Sequence, residues 1–293
     1  MTEFIIYVAL VLFGVCFGSF AGATVWRLRA RQLANDKKNK EEYDPKEYKR
    51  LKKLLNKSTL NDRSCCLECG YELKWYDLIP IISWVSLRGR CRSCRHFIGW
   101  FEPAMEVGVA AFFVLSYVLW PTELVSGLEI AHFGLWLAAG VVMAVLFAYD
   151  LKWYLLPDKY SLALAVIGLG IVGVAAAGSQ DMGQTLINAA GSVAVLAGLY
   201  GLLYVVSKGR WVGFGDVKLG VGLGLILLDW QVAVVALFLA NLIGCLVVIP
   251  LLASKKLKRH AHIPFGPMLI SGAIVSWFFG MQLLEWYLGF LTI

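Results

Sequence analysis

Long apolar runs alternate along this chain with polar, charge-bearing segments. A membrane helix needs about 20 apolar residues to cross about 30 Å of hydrocarbon at 1.5 Å rise per residue. Runs at 4–26, 103–120, 130–149, 160–178, 184–206, 232–253 and 265–290 meet or approach that length. A shorter run at 219–228 would reach only about 15 Å as a helix. It predicts either a tilted or thinned crossing or a buried half-span. The first run lacks the basic start of a cleavable signal and is too long for a signal core, so it reads as a first span. The expected fold is an all-α polytopic membrane protein of about eight transmembrane helices.

The cations orient these spans. Of the 27 Lys and Arg residues, 18 lie in 27–95. The rest fall in the loops after the third span (Lys152, Lys159), the fifth (Lys208, Arg210, Lys218) and the seventh (Lys255, Lys256, Lys258, Arg259). The intervening loops at 121–129, 179–183 and 229–231 carry none. Basic loops stay in the cytoplasm. The amino terminus is therefore expected outside, and the alternation closes only if the short sixth run crosses. Three parts are expected: a first span at 1–26, a basic cytoplasmic segment at 27–102, and a membrane bundle at 103–293.

Composition agrees with this plan. The chain is 59% hydrophobic and 16% charged over 293 residues, against about 45–50% and about 25% in soluble domains. That excludes a disordered chain, a coiled coil and a typical cytosolic enzyme. The net charge of +7 follows the membrane plan and forms no base-reading motif, so no nucleic-acid partner is expected. Within 37–57, Tyr48, Leu51 and Leu55 share a helical face among lysines. That pattern suits a short helix on the inner leaflet or, equally, a solvated linker.

Cys66-Leu-Glu-Cys69 precedes Cys91-Arg-Ser-Cys94 by 21 residues. Two such knuckles supply four thiolates for a closed, structural zinc site. A reducing cytosol favours metal over disulfides. Gly70 and Gly89 suit the tight turns. Cys65 is a rival for the fourth ligand, which the Cys-x-x-Cys spacing assigns to Cys66. His96 is near enough to be considered, but four cysteines suffice. Cys16 and Cys245 lie within spans as packing residues. His132, His260 and His262 form no ligand pattern.

Acidic groups bordering membrane spans are costly and usually functional or paired. Asp150 closes the third span in Ala148-Tyr-Asp150, and Asp216 opens the sixth in Gly213-Phe-Gly215-Asp216. Both lie at cytoplasmic ends by the charge plan, so a bundle could unite them. Two carboxylates holding one proton can split an amide: the ionised one takes a proton from water, and the neutral one hydrogen-bonds the carbonyl. Gly213 and Gly215 would allow unusual backbone angles and close approach of a peptide. Pro157 stops the preceding helix. Asp158 reads as a helix N-cap. Lys152 and Lys218 are possible partners for Asp150 and Asp216, which would make both aspartates structural. A transporter or ion pathway, or a membrane scaffold built on the cysteine knuckles, would look similar.

At these residues the sequence resembles the type IV prepilin peptidases, membrane aspartyl proteases with a GxGD signature. Gly18-Ser-Phe20 with Arg27, the two Cys pairs, Pro80-Ile-Ile-Ser-Trp84 and Leu87-Arg-Gly-Arg-Cys91 match the family in order and spacing. So do Asp150 with Leu156-Pro157-Asp158, Gly213–Leu219 as Gly-Phe-Gly-Asp-Val-Lys-Leu, and Ile263-Pro-Phe-Gly-Pro267. Leu67 departs from the family's Pro, and Phe101-Glu102-Pro103 stands where many members have Arg-Tyr-Pro before the residue matching Glu106. The resemblance implies that Asp150 and Asp216 are catalytic. It implies prepilin and pseudopilin substrates, cut after a Gly on the cytoplasmic side of the bacterial inner membrane. It also implies N-methylation of the new amino terminus with S-adenosylmethionine in many members.

Overall fold

The computed structural model describes residues 2–55, 64–254 and 263–291. The cations and histidines at 255–262 and Lys57 lie outside the described residues. Two compact units divide the chain, Met1–Tyr117 and Val118–Ile293. The described elements are helical, with two isolated antiparallel bridges, Cys65 to Glu72 and Arg90 to Phe97.

In the first unit, α1 (Thr2–Asn39) continues past its apolar run by more than three turns. Gly14, Gly18 and Gly22 recur every four residues along it, and such spacing lets membrane helices approach closely. A β-carbon at Gly14 would lie 2.5 Å from Ala110 Cα, and one at Gly18 2.6 Å from Glu106 Cα. Both contacts belong to α4 (Phe101–Val118). The basic segment folds back as α2 (Pro45–Leu51), started by Asp44, whose carboxylate accepts from the Lys46 N–H. Leu51 is 1% exposed against Ala30 and Leu33 of α1, with Tyr48 and Leu55 beside it. The apolar face read as leaflet-bound or solvated is instead part of a protein core. A short α3 (Ile82–Ser86) precedes the second cysteine pair.

The second unit is a helical bundle. α5 (Gly127–Trp153) starts on a capping box in which the Glu129 N–H donates to Ser126 Oγ and the Ser126 N–H to Glu129. It ends at Tyr154, in the left-handed region at φ 57°. α6 (Asp158–Gly178) follows. α7 (Met182–Val193) and α8 (Leu199–Ser207) join through a π-helical turn into one span, Met182–Ser207. α9 (Phe214–Leu227), α10 (Trp230–Ala253) and α11 (Gly266–Leu291) complete the unit.

Seven described helices are long and apolar enough to cross a membrane. The eighth expected run is α9, whose 14 residues reach about 21 Å. It packs against α6, α7 and the π-helical turn, burying Leu219, Leu223, Ile226 and Leu227. Gly220 and Gly224 make this possible, since a β-carbon at Gly224 would lie 2.7 Å from Val193 Cα. Cys16 and Cys245 are exposed on the outside of their helices and do not fill the helix core. His132 packs edge-on to Trp120 and Trp277, with ring centroids 5.4 and 5.5 Å away.

Candidate functional site

Three chain segments converge around Asp150. Its carboxylate, at the end of α5, is 5% exposed. The backbone N–H of Gly266, at the start of α11, donates to Asp150 Oδ2 over 2.9 Å. Leu156, in the link after α5, touches two helix starts at once. β-Carbons at Gly215 and Gly266 would lie 3.1 and 3.4 Å from it. Asp216 stands in the first turn of α9, where the helix dipole favours negative charge. Asp150 and Asp216 are close enough to act on one another electrostatically. The two sequence-selected aspartates therefore lie in one unit within electrostatic reach of one another, on helices 66 positions apart in the chain.

Gly213 and Gly215 work differently from the expectation. Gly213 is the residue before α9, at φ −76° and ψ 149°, angles open to any residue. Gly215 serves close packing on Leu156. Asp158 makes no cap: Pro157 holds that position, and no side chain caps the helix. Asp158 instead accepts from Lys218 Nζ at 2.6 Å. That pair removes Lys218 from Asp216, while Lys152 Nζ lies 5.6 Å from the centre of the Trp153 ring.

Sequence reasoning named Leu156 and Gly266 only within family motifs, with no role for either, and passed over Tyr200. Tyr200 is 4% exposed, is within electrostatic reach of Asp216, and packs on Phe265 with centroids 5.3 Å apart. The available signal was Phe265-Gly266-Pro267, where a proline just inside a helix start marks an ordered entry.

In the first unit, the sulfurs of Cys66, Cys69, Cys91 and Cys94 all lie within 4.8 Å of one another. Cys66 to Cys94 and Cys69 to Cys91 are each 3.9 Å apart. A tetrahedron of sulfurs at about 2.3 Å from a metal has edges of about 3.8 Å, so the cluster can hold a metal ion. The two knuckles repeat one geometry. The Cys66 N–H donates to Tyr71 O and the Gly70 N–H to Cys66 O; the Cys91 N–H donates to His96 O and the Arg95 N–H to Cys91 O. Gly70 takes the left-handed position in the first (φ 77°) and Arg95 (φ 60°) the matching one in the second, while Gly89 (φ 68°) turns the chain just ahead of Cys91. Cys65 and His96 stand outside the cluster. Burial pushes the Cys66 thiol up to about 12. A backbone hydrogen bond from Tyr71 brings Cys69 down to about 7.

Residues 12–120 match the bacterial peptidase A24 N-terminal domain, and residues 137–249 match the type IV leader peptidase family. A prepilin leader peptidase/N-methyltransferase of Aeromonas hydrophila is 32% identical over 228 residues, 77% of this chain and 74% of that protein. The chain belongs to the type IV leader peptidase family. Proteins of the same name from Aeromonas salmonicida (strain A449) and Pseudomonas aeruginosa are 29% and 27% identical. Those matches cover 97% and 96% of this chain, and 94% and 92% of the relatives. No solved structure matches. Membership makes the chain an enzyme, a multi-pass membrane peptidase whose first unit carries a metal-competent four-cysteine cluster.

Proposed function

We propose that the chain is a membrane aspartic endopeptidase. It removes the short basic leader from type IV prepilins and pseudopilins, cutting after a Gly, and then methylates the new amino terminus with S-adenosylmethionine. The observation that carries the proteolytic reading is the convergence of Asp150, Asp216 and the Gly266 N–H. One carboxylate, ionised, takes a proton from the attacking water. Its partner, protonated, hydrogen-bonds the scissile carbonyl and later protonates the departing amine. The proton belongs to the pair, so either aspartate alone leaves the cycle incomplete. The Gly266 N–H fixes Asp150 in place.

The names of the relatives support prepilin substrates and methyl transfer. The cation distribution supports a bacterial inner-membrane protein with its amino terminus outside and both the dyad and the cysteine cluster at the cytoplasmic face. The metal we assign is structural zinc, held by Cys66, Cys69, Cys91 and Cys94. Four sulfur ligands leave no open position for catalysis.

The test is mass spectrometry of a prepilin incubated with the purified chain, with and without S-adenosylmethionine. Cleavage after the leader Gly is expected, with one added methyl group only when the donor is present. Asp150→Asn and Asp216→Asn should each abolish the shortened product; wild-type cleavage by both would reject the dyad.

A further inference from the structure

The membrane helix α4 has no length to spare. Its 18 residues reach about 27 Å, against a hydrocarbon slab of about 30 Å. Its first turn therefore marks the slab's boundary on the side of the cysteine cluster. α1 marks the same level. Trp26, where its apolar run ends, donates to Glu102 Oε1 at 3.1 Å and packs edge-on to Phe101, with centroids 5.5 Å apart.

The short α3 is tied to that boundary twice. Trp84 Nε1 donates to Gly99 O at 2.8 Å, and the Trp84 ring lies 4.4 Å from that of Trp100. The Ile81 N–H, at the start of α3, donates to Glu106 Oε2 at 2.7 Å. Glu106 stands five residues after Phe101, and helical side chains lean back toward the helix start, so Ile81 too lies near the level of the first turn. The tie holds Ile81 at φ 59°, a region that a β-branched residue rarely occupies.

At this level the surface is apolar. Ile82 and Val85, three apart on one face of α3, are 65% and 60% exposed, and Leu78 and Trp100 are exposed as well. An apolar patch of this kind marks a contact surface, and a bilayer boundary favours it, with tryptophan at headgroup level. The charges agree. Between Lys74 and Trp100 there are five Lys or Arg and one acid, Asp77. Asp77 is buried and paired with Arg92 at 2.8 Å. Arg88 and Arg90, directly after α3, are exposed.

We infer that α3 is a shallow wedge in the lipid leaflet on the side of the cysteine cluster. Leu78, Ile82 and Val85 reach the acyl chains, Trp100 sits among the headgroups, and Arg88 and Arg90 meet anionic phosphates. The leaflet contact that the sequence offered to α2 falls instead to α3. Because Arg88 lies three residues before Cys91, the wedge also holds the second cysteine knuckle against the bilayer.

The test uses the wild-type full chain in nanodiscs that carry a phospholipid with a photoreactive diazirine in its acyl chain. One set is phosphatidylcholine alone, and the other includes phosphatidylglycerol. Mass spectrometry after illumination maps the labelled residues. Labels are expected within 78–85 as well as on α4, with the yield at 78–85 rising roughly twofold or more in the anionic bilayer. Arg88→Gln with Arg90→Gln should remove that rise at unchanged metal content; if the variant loses its metal, the two wild-type yields decide. A labelled α4 with an unlabelled 78–85 overturns the wedge. Loss of those labels on adding a prepilin also overturns it and makes the patch a substrate-docking face. Equal wild-type yields in both bilayers overturn the assignment of the arginines to phosphate.

Discussion

The Gly266 N–H donates to the Asp150 carboxylate across 2.9 Å, linking residues 116 positions apart. The contact leaves no room for a side chain on the donor. A β-carbon at Gly266 would lie 2.8 Å from Asp150 Oδ2 and 3.3 Å from its Cγ. Gly266→Ala should therefore displace the carboxylate and lower prepilin cleavage by about 10- to 100-fold, as a misplaced reacting group does. The measure is the initial cleavage rate beside a melting curve. A wild-type rate with a wild-type melt would remove Gly266 from the site.

Asp158 and Asp150 lie eight positions apart but should behave oppositely. The Asp158–Lys218 pair is exposed, with 75% of the Asp158 side chain accessible, and such pairs contribute at most about 1 kcal/mol. Asp158→Asn should change the cleavage rate by less than about threefold. A loss as complete as that of Asp150→Asn would place Asp158 in the chemistry.

Metal binding should weaken as pH falls, because the ion competes with protons for the thiols. In the metal-free protein Cys66 titrates near 12 and is protonated at neutral pH, so it must release a proton on binding. Cys69, near 7, is about half ionised and releases less. Zinc titrations at pH 6 and pH 8 should show tighter binding at the higher pH. Cys69→Ser should reduce bound zinc from about one per chain to none. Equal affinity at both pH values would contradict a thiolate site.

Leu51→Ala should destabilise the first unit by about 2–5 kcal/mol, the range for a fully buried large-to-small change. Hydrogen exchange should then quicken along α2 and the facing turns of α1. Unchanged exchange there would mean that Leu51 carries little of this packing.

The spans and the placement of Asp150 and Asp216 at helix ends were legible because membrane burial writes itself as length and charge distribution, and both are properties of one segment at a time. The cysteine knuckles were legible for the same local reason. Leu51 was misread because an amphipathic face shows that something apolar covers it but not what. Here the cover is the polar continuation of α1, a helix expected to end near Trp26. Gly213 and Gly215 were read for backbone freedom. For Gly215 the constraint comes from Leu156, far off in the chain, so only the folded arrangement reveals it. The role of Gly266 within Ile263–Pro267 stayed out of view for that reason too: its partner is a side chain on another helix.

The brevity of α9 bears on how hydrolysis obtains its water. A rod of 14 residues falls about 9 Å short of the oily slab it stands in. Asp216 stands on its first turn, and a shortfall taken up at that end would set the acid beside interfacial water. The reactant would then arrive where the polymer stops, without a conduit through the bundle.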